Sequence, residues 1–480
     1  MQIAFAVSEV EDLVKTGGLA DVGKSLPLEL CNIGHDVRII MPLYKDVGAV
    51  GLENACPPQS IEYHGRRYDF QVKQAEFHGT IVYFIEHDNY FDRDGLYSDG
   101  YDAFDDNGQR FAFFSQAVLY ALSAVNFIPE VLHANDWHTA MIPYFLKHVS
   151  NRSIKRDFTH CKSVLTIHNA AFQGVFLRRD IALLANEPAI QNYSHGDYVN
   201  FLQTGLACCD HITTVSPNYA NELLTDLGSH GLSPLLQTRA KAITGILNGC
   251  DYSQWDPSTD KYIAHNFSRQ NLTGKKACKQ ALQAHAKLPE AADIPVLGMV
   301  CRLTEQKGFG YILPILERLL QHRVQLVIVG TGDPGVVKRL SQLSAKFDSK
   351  FHFMIGFSNQ YAHWIEAGSD FFLMPSQFEP CGLNQMYSLA YGTVPIVREV
   401  GGLKDTVIDV EMLPDESTGF CFQAPQAEAL LHCIRRALLT YYESPDVLSM
   451  LQQRGMQTRF TWRQAAVKYE TLYQELSHVD

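Results

Sequence analysis

Short, continuously apolar runs recur along this chain between stretches of helical periodicity, and that alternation constrains the fold more than any other feature. The runs IAFAVS, DVRIIMP, IVYFIE, VLHAND, SVLTIH and HITTVS punctuate the first half, and IPVLGMVC, VQLVIVG, FHFMIG, DFFLMPS and TVPIVRE the second. A run apolar at every position, rather than at every second one, reads as a strand covered on both faces. Helical stretches between them, for example 109–125, 139–149 and 382–391, then require right-handed crossovers and parallel sheets. The class is α/β. The series restarts after the turn-rich segment NGCDYSQWDPSTDKY, with a polar helical piece at 271–288 and a fresh strand at Pro295. A chain of 480 residues exceeds one ordinary core. A boundary near Ile246 gives two doubly wound, Rossmann-like domains, 1–245 and 246–461, expected to face each other across a deep cleft. A last helix over 462–480 is free to pack back on the first domain. No repeat of solenoid type is visible.

Ligands in open parallel sheets sit beyond the carboxyl ends of strands, so strand-end motifs carry the chemistry. The stretch LVKTGGLADVGKSLP follows the first strand and has paired glycines, a lysine and a helix start, yet it is neither a P-loop nor a dinucleotide fingerprint. In the second half, VCRLTEQKGFG supplies Arg302 and Lys307 after one strand. MPSQFEPCGLNQMYSLAYGTVPIV supplies Glu379, Gly382, Leu383 and Asn384 after another. A helix start offers free N–H groups and a favourable dipole to an anion. Two cations beside it suit a diphosphate, above all one that gains charge as it leaves. Either motif alone reads as solvated charge and a packing glycine. Together, each at a strand end, they read as a site.

The motifs KTGGLADV, NDWHT, TIHNAAFQG, NGCDYSQWDP, RLTEQKG and PSQFEPCGLNQMYSLAYGTVPIVREVGGLKDTV resemble, in order and spacing and over nearly the whole chain, the bacterial glycogen and plant starch synthases. These are retaining glycosyltransferases of the GT-B fold. The resemblance implies an acceptor-side first domain, a nucleotide-sugar-binding second domain, and transfer of glucose from ADP-glucose to the non-reducing end of an α-1,4-glucan. It implies that Lys15, Gly17 and Gly18 approach the donor phosphates and that Asp21 adds a polar contact. Asp136 and His138 fall near the sugar, and His168 beside the reacting glucose. Asn248 matches an interdomain asparagine. Arg302 and Lys307 match the pair on the donor diphosphate, Glu379 the essential acid near the glucose, and Gly382 to Asn384 a backbone cradle. Tyr97 matches an aromatic near the site, and Phe357 one that stacks on the base, for which any flat π face serves. Many retaining GT-B enzymes carry a second glutamate eight residues after the first. Here that position is Tyr387; the glycogen synthase branch also lacks that glutamate, so the departure favours this branch.

Simpler structural roles stand beside these. Asp136 also reads as a cap on its own loop, His168 as a core histidine, and Trp137, Tyr101 and Phe104 as packing. The D-x-D at Asp92 to Asp94 runs into Gly95 and reads as a turn rather than a metal site, and neither metal nor cofactor is expected. Net charge is −12 with no long basic cluster, which argues against nucleic acid and anionic membranes. The N-terminus lacks a basic leader segment and no run approaches membrane-spanning length. The eleven cysteines, without C-x-x-C, read as reduced thiols of a cytoplasmic protein. Two alternatives remain open: another GT-B transferase of the UDP-glucose or sucrose type, and an inactive glucan-binding protein. Oligomeric state is not legible.

Overall fold

A computed structural model describes residues 1–47, 51–63, 65–100 and 102–478; Tyr101 therefore lies outside the described residues. The chain divides into two compact units, Met1–Val215 with Ala220–Asn248 and Trp462–Asp480, and Ser216–Tyr219 with Gly249–Thr461.

The first unit carries β1 (Gln2–Ala6), β2 (Asp36–Pro42), β3 (Glu53–Asn54), β4 (Gln59–Tyr63), β5 (Arg66–Phe77), β6 (Thr80–Glu86), β7 (Val131–Asn135), β8 (Lys162–Ile167), β9 (Val175–Leu177), β10 (Ser194–His195), β11 (Tyr198–Asn200), β12 (His211–Thr214) and β13 (Ile243–Gly245). Its main sheet runs β13-β12-β8-β7-β1-β2-β6-β5-β3, with β4 paired to β5. The six strands expected from apolar runs are its parallel core, and β1, β7 and β8 are almost wholly buried. One expectation needs correction: the sheet is mixed, because β5 runs antiparallel to β6, β4 and β3. In RRYDFQVKQAEF burial alternates towards the strand's end, as suits a strand with one wetted face. A separate antiparallel sheet, β10-β11-β9, follows β8.

Helix Gly18–Asn32 buries Leu19, Val22, Leu26 and Leu30, and Asp21 in its first turn complements the dipole. It approaches the chain after β1 so closely that a Cβ on Gly23 would lie 2.3 Å from the Glu9 carbonyl oxygen. The last helix, Trp462–His478, belongs to this unit. Its Tyr473 hydroxyl lies 2.6 Å from His133 Nδ1 on β7, and His133 Nε2 lies 2.5 Å from Thr166 on β8. Buried bonds of this kind contribute about 1 kcal/mol each.

The second unit is built on β14 (Val296–Val300), β15 (Gln325–Gly330), β16 (Phe351–Ile355), β17 (Phe371–Met374), β18 (Val394–Arg398) and β19 (Phe420–Phe422). All pairs in the order β16-β15-β14-β17-β18-β19 are parallel. Helices such as Phe309–Leu319 and Ala427–Glu443 pack apolar faces on one side of it. No helix among the described residues is long and apolar enough to cross a membrane.

Candidate active site

Strand order decides which strand ends become neighbours. In the first unit the chain builds β1, β2 and β6 outward in one direction, then returns to lay β7, β8 and β12 on the other side of β1. The reversal lies between β1 and β7, and open α/β sheets bind ligands at such a point. The carboxyl end of β1 leads to Glu9 and the Lys15 loop, that of β7 to Asp136, and that of β8 to His168.

Glu9 is 3% exposed and organises the loop before the first helix. Its carboxylate accepts from the Thr16 N–H at 2.6 Å, the Thr16 hydroxyl at 2.7 Å and the Gly17 N–H at 3.2 Å. Tyr97 Oη donates to it at 2.7 Å. Burial above all, then the neighbouring Tyr44 and Glu9, holds the Tyr97 phenol protonated and so a donor. Tyr97 is fixed in turn by Asn107, which donates to its carbonyl, and by buried Arg110, which donates to the Leu96 carbonyl. Gly17 is extended, and a Cβ on Gly17 or Gly18 would meet nothing within 4 Å. The fold itself therefore does not demand glycine at either position; what the pair provides is open space before a helix start.

Lys15 donates to Glu11 at 2.9 Å and to Asp21 at 2.8 Å. Burial alone would lower its pKa, but the two carboxylates outweigh that and raise it, which favours the charged ammonium. Asp21, assigned to the donor by resemblance, is here the partner of Lys15.

Asp136 has φ +54°, a left-handed conformation rare for residues other than glycine, though Asp and Asn tolerate it best. Its Oδ1 accepts from the His168 N–H at 2.7 Å and the Asn169 N–H at 3.4 Å. The carboxylate thus pins the loop after β8 rather than capping its own. Burial pushes its pKa up to about 7 against those two donors. A raised folded pKa means that the native state binds more protons than the unfolded one, so stability falls as pH rises from 3.8 to about 7. Asp136→Asn keeps an acceptor and tolerates the same φ. It is expected to flatten that fall in thermal-unfolding midpoints measured across the window; an unchanged slope would show that Asp136 is not its source.

Burial pushes the His168 pKa down to about 3, so the ring is neutral. Its Nε2 lies 2.9 Å from Asn135 Oδ1, and Asn135 donates its own amide to the Ala6 carbonyl. The hydrogen therefore sits on Nε2, and Nδ1 is left as an acceptor. His138, also held neutral by burial, rests between Tyr97 and Trp137 with ring centroids 4.5 and 4.0 Å away. Its Nδ1 is buried without a hydrogen-bond partner among the described residues. Trp137 packs against Phe111 and Phe176, as a packing role requires. Asn248, the last residue of this part of the unit, buries an Oδ1 that also lacks a partner among the described residues.

The second unit repeats the device. Its chain builds β14, β15 and β16 outward, then β17, β18 and β19 on the other side, and the reversal lies between β14 and β17. Arg302 and Lys307 follow β14, and Ser376 and Glu379 follow β17. Lys307 Nζ donates to Glu379 Oε2 at 2.6 Å and Ser376 Oγ to the same oxygen at 2.9 Å. Arg302 is exposed and enters no ion pair among the described residues. Gly382 has φ +73° and precedes helix Asn384–Ala390, whose N-cap Leu383 offers no side-chain acceptor. Asn384 ties that helix to β14 through the Val300 carbonyl at 2.9 Å. Phe357, after β16, is 72% exposed and stands free to stack. Tyr387 lies flat on Trp255 with centroids 3.9 Å apart, and the other face of Trp255 lies on His363 at 3.8 Å. Where other enzymes carry a glutamate, this chain has a buried packing aromatic.

Of the D-x-D segment, Asp94 pairs with Lys45, and Arg93 with Asp106. Phe104 lies under Arg93 and Arg110, consistent with packing. Sequence reasoning missed Glu9, Ser376, Asn135 and Arg110. Two left a signal: Glu9 is a carboxylate directly after an apolar strand, and Arg110 is a lone charge in an apolar helix.

Residues 2–238 match the starch synthase catalytic domain family, and residues 276–450 the group 1 glycosyl transferases. The glycogen synthase of Aeromonas salmonicida is 48% identical over 480 residues, covering 99% of this chain and 98% of that protein. That of Photobacterium profundum is 48% identical, covering 98% of this chain and 94% of the relative. Among solved structures, the catalytic domain of starch synthase IV from Arabidopsis thaliana, bound to ADP and acarbose, superposes with a TM-score of 0.90 at 29% identity over 99% of each chain. Sucrose-phosphate synthase from Thermosynechococcus elongatus shares the fold, with a TM-score of 0.61 at 18% identity over the whole of both chains.

Proposed function

We propose that this chain, which belongs to the glycogen synthase family and has the GT-B fold, moves glucose from ADP-glucose onto the non-reducing end of an α-1,4-glucan with retention at the anomeric carbon. It is a glycosyltransferase that uses a nucleotide-sugar donor and a glucan acceptor. Its relatives are named glycogen synthases, and a starch synthase of the same fold binds ADP. The observation that carries the residue roles is the meeting of Lys307 and Glu379 at the reversal point of the second sheet, where Arg302 follows the same strand end as Lys307.

In this reading Arg302 and Lys307 hold the donor diphosphate, the chain from Gly382 through Leu383 to Asn384 supplies backbone N–H groups, and Phe357 stacks on the base. Lys15 adds a further cation, with Gly17 and Gly18 giving the phosphates room. Neutral His168 accepts a sugar hydroxyl at Nδ1, while Asp136 and His138 orient others and Tyr97 braces the loop. Asn248 offers its unpartnered oxygen to the donor. Glu379 accepts from the sugar and balances the charge of Lys307.

Retention follows from attack on the face that the diphosphate leaves. The bond from the anomeric carbon to the ADP oxygen breaks, a bond to the acceptor's 4-oxygen forms, and the acceptor's proton passes to the departing phosphate. Fixed cations stabilise the charge that grows there. No metal or cofactor enters the scheme. The reaction is placed in the cytoplasm, where thiols stay reduced; all eleven cysteines are free.

The test is incorporation of labelled glucose from ADP-glucose into glycogen, with UDP-glucose as competitor and excess EDTA as a separate arm. Linear α-1,4 incorporation, at least about tenfold better kcat/KM for ADP-glucose and indifference to EDTA are expected. Preference for UDP-glucose would favour the alternative transferase, glucan binding without transfer an inactive binding protein, and EDTA loss restored by Mg²⁺ would overturn the metal-free scheme.

A further inference from the structure

Lys15 stands at one end of a row of polar side chains of alternating type that runs through Glu11, Lys24 and Asp12 to His78. Glu11 turns one oxygen to each lysine: Oε1 lies 2.9 Å from Lys15 Nζ and Oε2 3.7 Å from Lys24 Nζ. Lys24 Nζ lies 2.6 Å from Asp12 Oδ2, and the same oxygen lies 3.3 Å from His78 Nε2. Lys24 is the more sheltered lysine, its side chain 13% exposed against 42% for Lys15.

The backbone beneath this row is fixed. The chain after β1 folds back over Val10 to Val14, whose N–H groups donate to each other's carbonyls at 3.1 and 2.8 Å. Asp12, inside that turn, has φ +71°, a left-handed conformation that Asp tolerates. The Glu11 N–H donates to the Ala20 carbonyl at 3.0 Å and ties the turn to the start of helix Gly18–Asn32. With Glu9 clamping Thr16 and Gly17, rearrangement is left to the side chains. Burial works against an ionised Asp12, but its bond to Lys24 and then His78 hold the carboxyl below its ordinary pKa.

We propose that Lys24 is a positioning residue for donor binding, which takes over Glu11 when the donor diphosphate engages Lys15. The inference rests on the role given to Lys15 above. Before the donor arrives, Lys15 is held by Glu11 and Asp21. A phosphate at Lys15 repels the Glu11 carboxylate, which then needs another cation. Its Oε2 is only about 1 Å beyond the length of a charge-assisted hydrogen bond to Lys24, so a small side-chain shift completes the exchange. Asp12 keeps His78 as a neighbour while Lys24 turns to Glu11. The exchange is complete once the donor is bound, so it acts on donor affinity and not on bond breaking.

The experiment measures steady-state transfer from ADP-glucose to glycogen by wild type, Lys24→Gln, Lys24→Arg, Glu11→Gln, the Lys24→Gln/Glu11→Gln pair and Asp12→Asn, with thermal midpoints for each. Lys24→Gln is expected to raise KM for ADP-glucose about tenfold with kcat within about twofold, and Lys24→Arg to stay near wild type. Removing the Glu11 charge removes the need for Lys24, so the pair should return to within about twofold of Glu11→Gln alone. Asparagine tolerates the same φ and releases Lys24 to Glu11, so Asp12→Asn should leave the donor KM unchanged or lower. This arm tests the exchange without altering Lys24. An unchanged donor KM in Lys24→Gln, a loss that Glu11→Gln does not relieve, or an equal loss in Asp12→Asn overturns the proposal; the last two would make Lys24 a brace of the turn. An unchanged kcat/KM for Lys15→Gln would remove Lys15 from the donor, and this inference with it, while leaving the transferase reading intact. Failure of the wild type to transfer from ADP-glucose would overturn both.

Discussion

Glu379→Gln is expected to lower kcat about 10³-fold, the scale seen when a charge-stabilising group is removed from an active site. Glutamine has nearly the same volume and still accepts from the Ser376 hydroxyl, so the local geometry survives. What disappears is the negative charge 2.6 Å from Lys307. Glu379 is nearly buried and Lys307 partly so, and breaking such a pair costs less than the roughly 3–5 kcal/mol of a fully buried one. The thermal midpoint should therefore drop while the protein stays folded at assay temperature. The two residues touch, so Glu379→Gln and Lys307→Met should be strongly non-additive in kcat. Turnover of Glu379→Gln within about threefold of wild type, with folding intact, would remove Glu379 from the site.

The second large effect is expected at the opposite end of the chain. Lys15→Gln should reduce kcat/KM for ADP-glucose by about 10²- to 10³-fold and leave stability almost unchanged. A half-exposed ion pair contributes at most about 1 kcal/mol to folding, and the Lys15 side chain is 42% exposed. The functional loss is larger because Lys15 neutralises Glu11 and Asp21. Without it two carboxylates face the incoming phosphates, so the substitution removes an attraction and uncovers a repulsion. Adding Asp21→Asn should recover part of the loss. An unchanged kcat/KM for Lys15→Gln, or a double variant that is worse than the single, would show that Lys15 does not act on the donor.

Both predictions concern residues visible in the sequence, and the reason is local. Lys15 lies beside paired glycines, and Glu379 stands between an apolar strand and a glycine before a helix. The same holds for the eleven apolar runs, each of which is a strand of a main sheet in the structure. A run buried on both faces leaves a composition that no surface segment shares. Less was legible where burial is one-sided or the strand is short. The RRYDFQVKQAEF strand is antiparallel and partly exposed, and the hairpin of β9 to β11 has strands of two or three residues.

Local sequence was thus enough to set the class of the fold, the order of its strands along the chain, and the residues that stand at strand ends. Which of those ends are neighbours was settled by tertiary pairing alone. The placing of β7 beside β1, and of β17 beside β14, rests on hydrogen bonds between segments more than 70 residues apart, which no local periodicity encodes. Those two adjacencies bring Asp136 to the side of Glu9 and the Lys15 loop, and Glu379 into contact with Lys307. The roles of Glu9 as the clamp of the loop, and of Asp136 as the clamp of the His168 backbone, are consequences of the same long-range pairing.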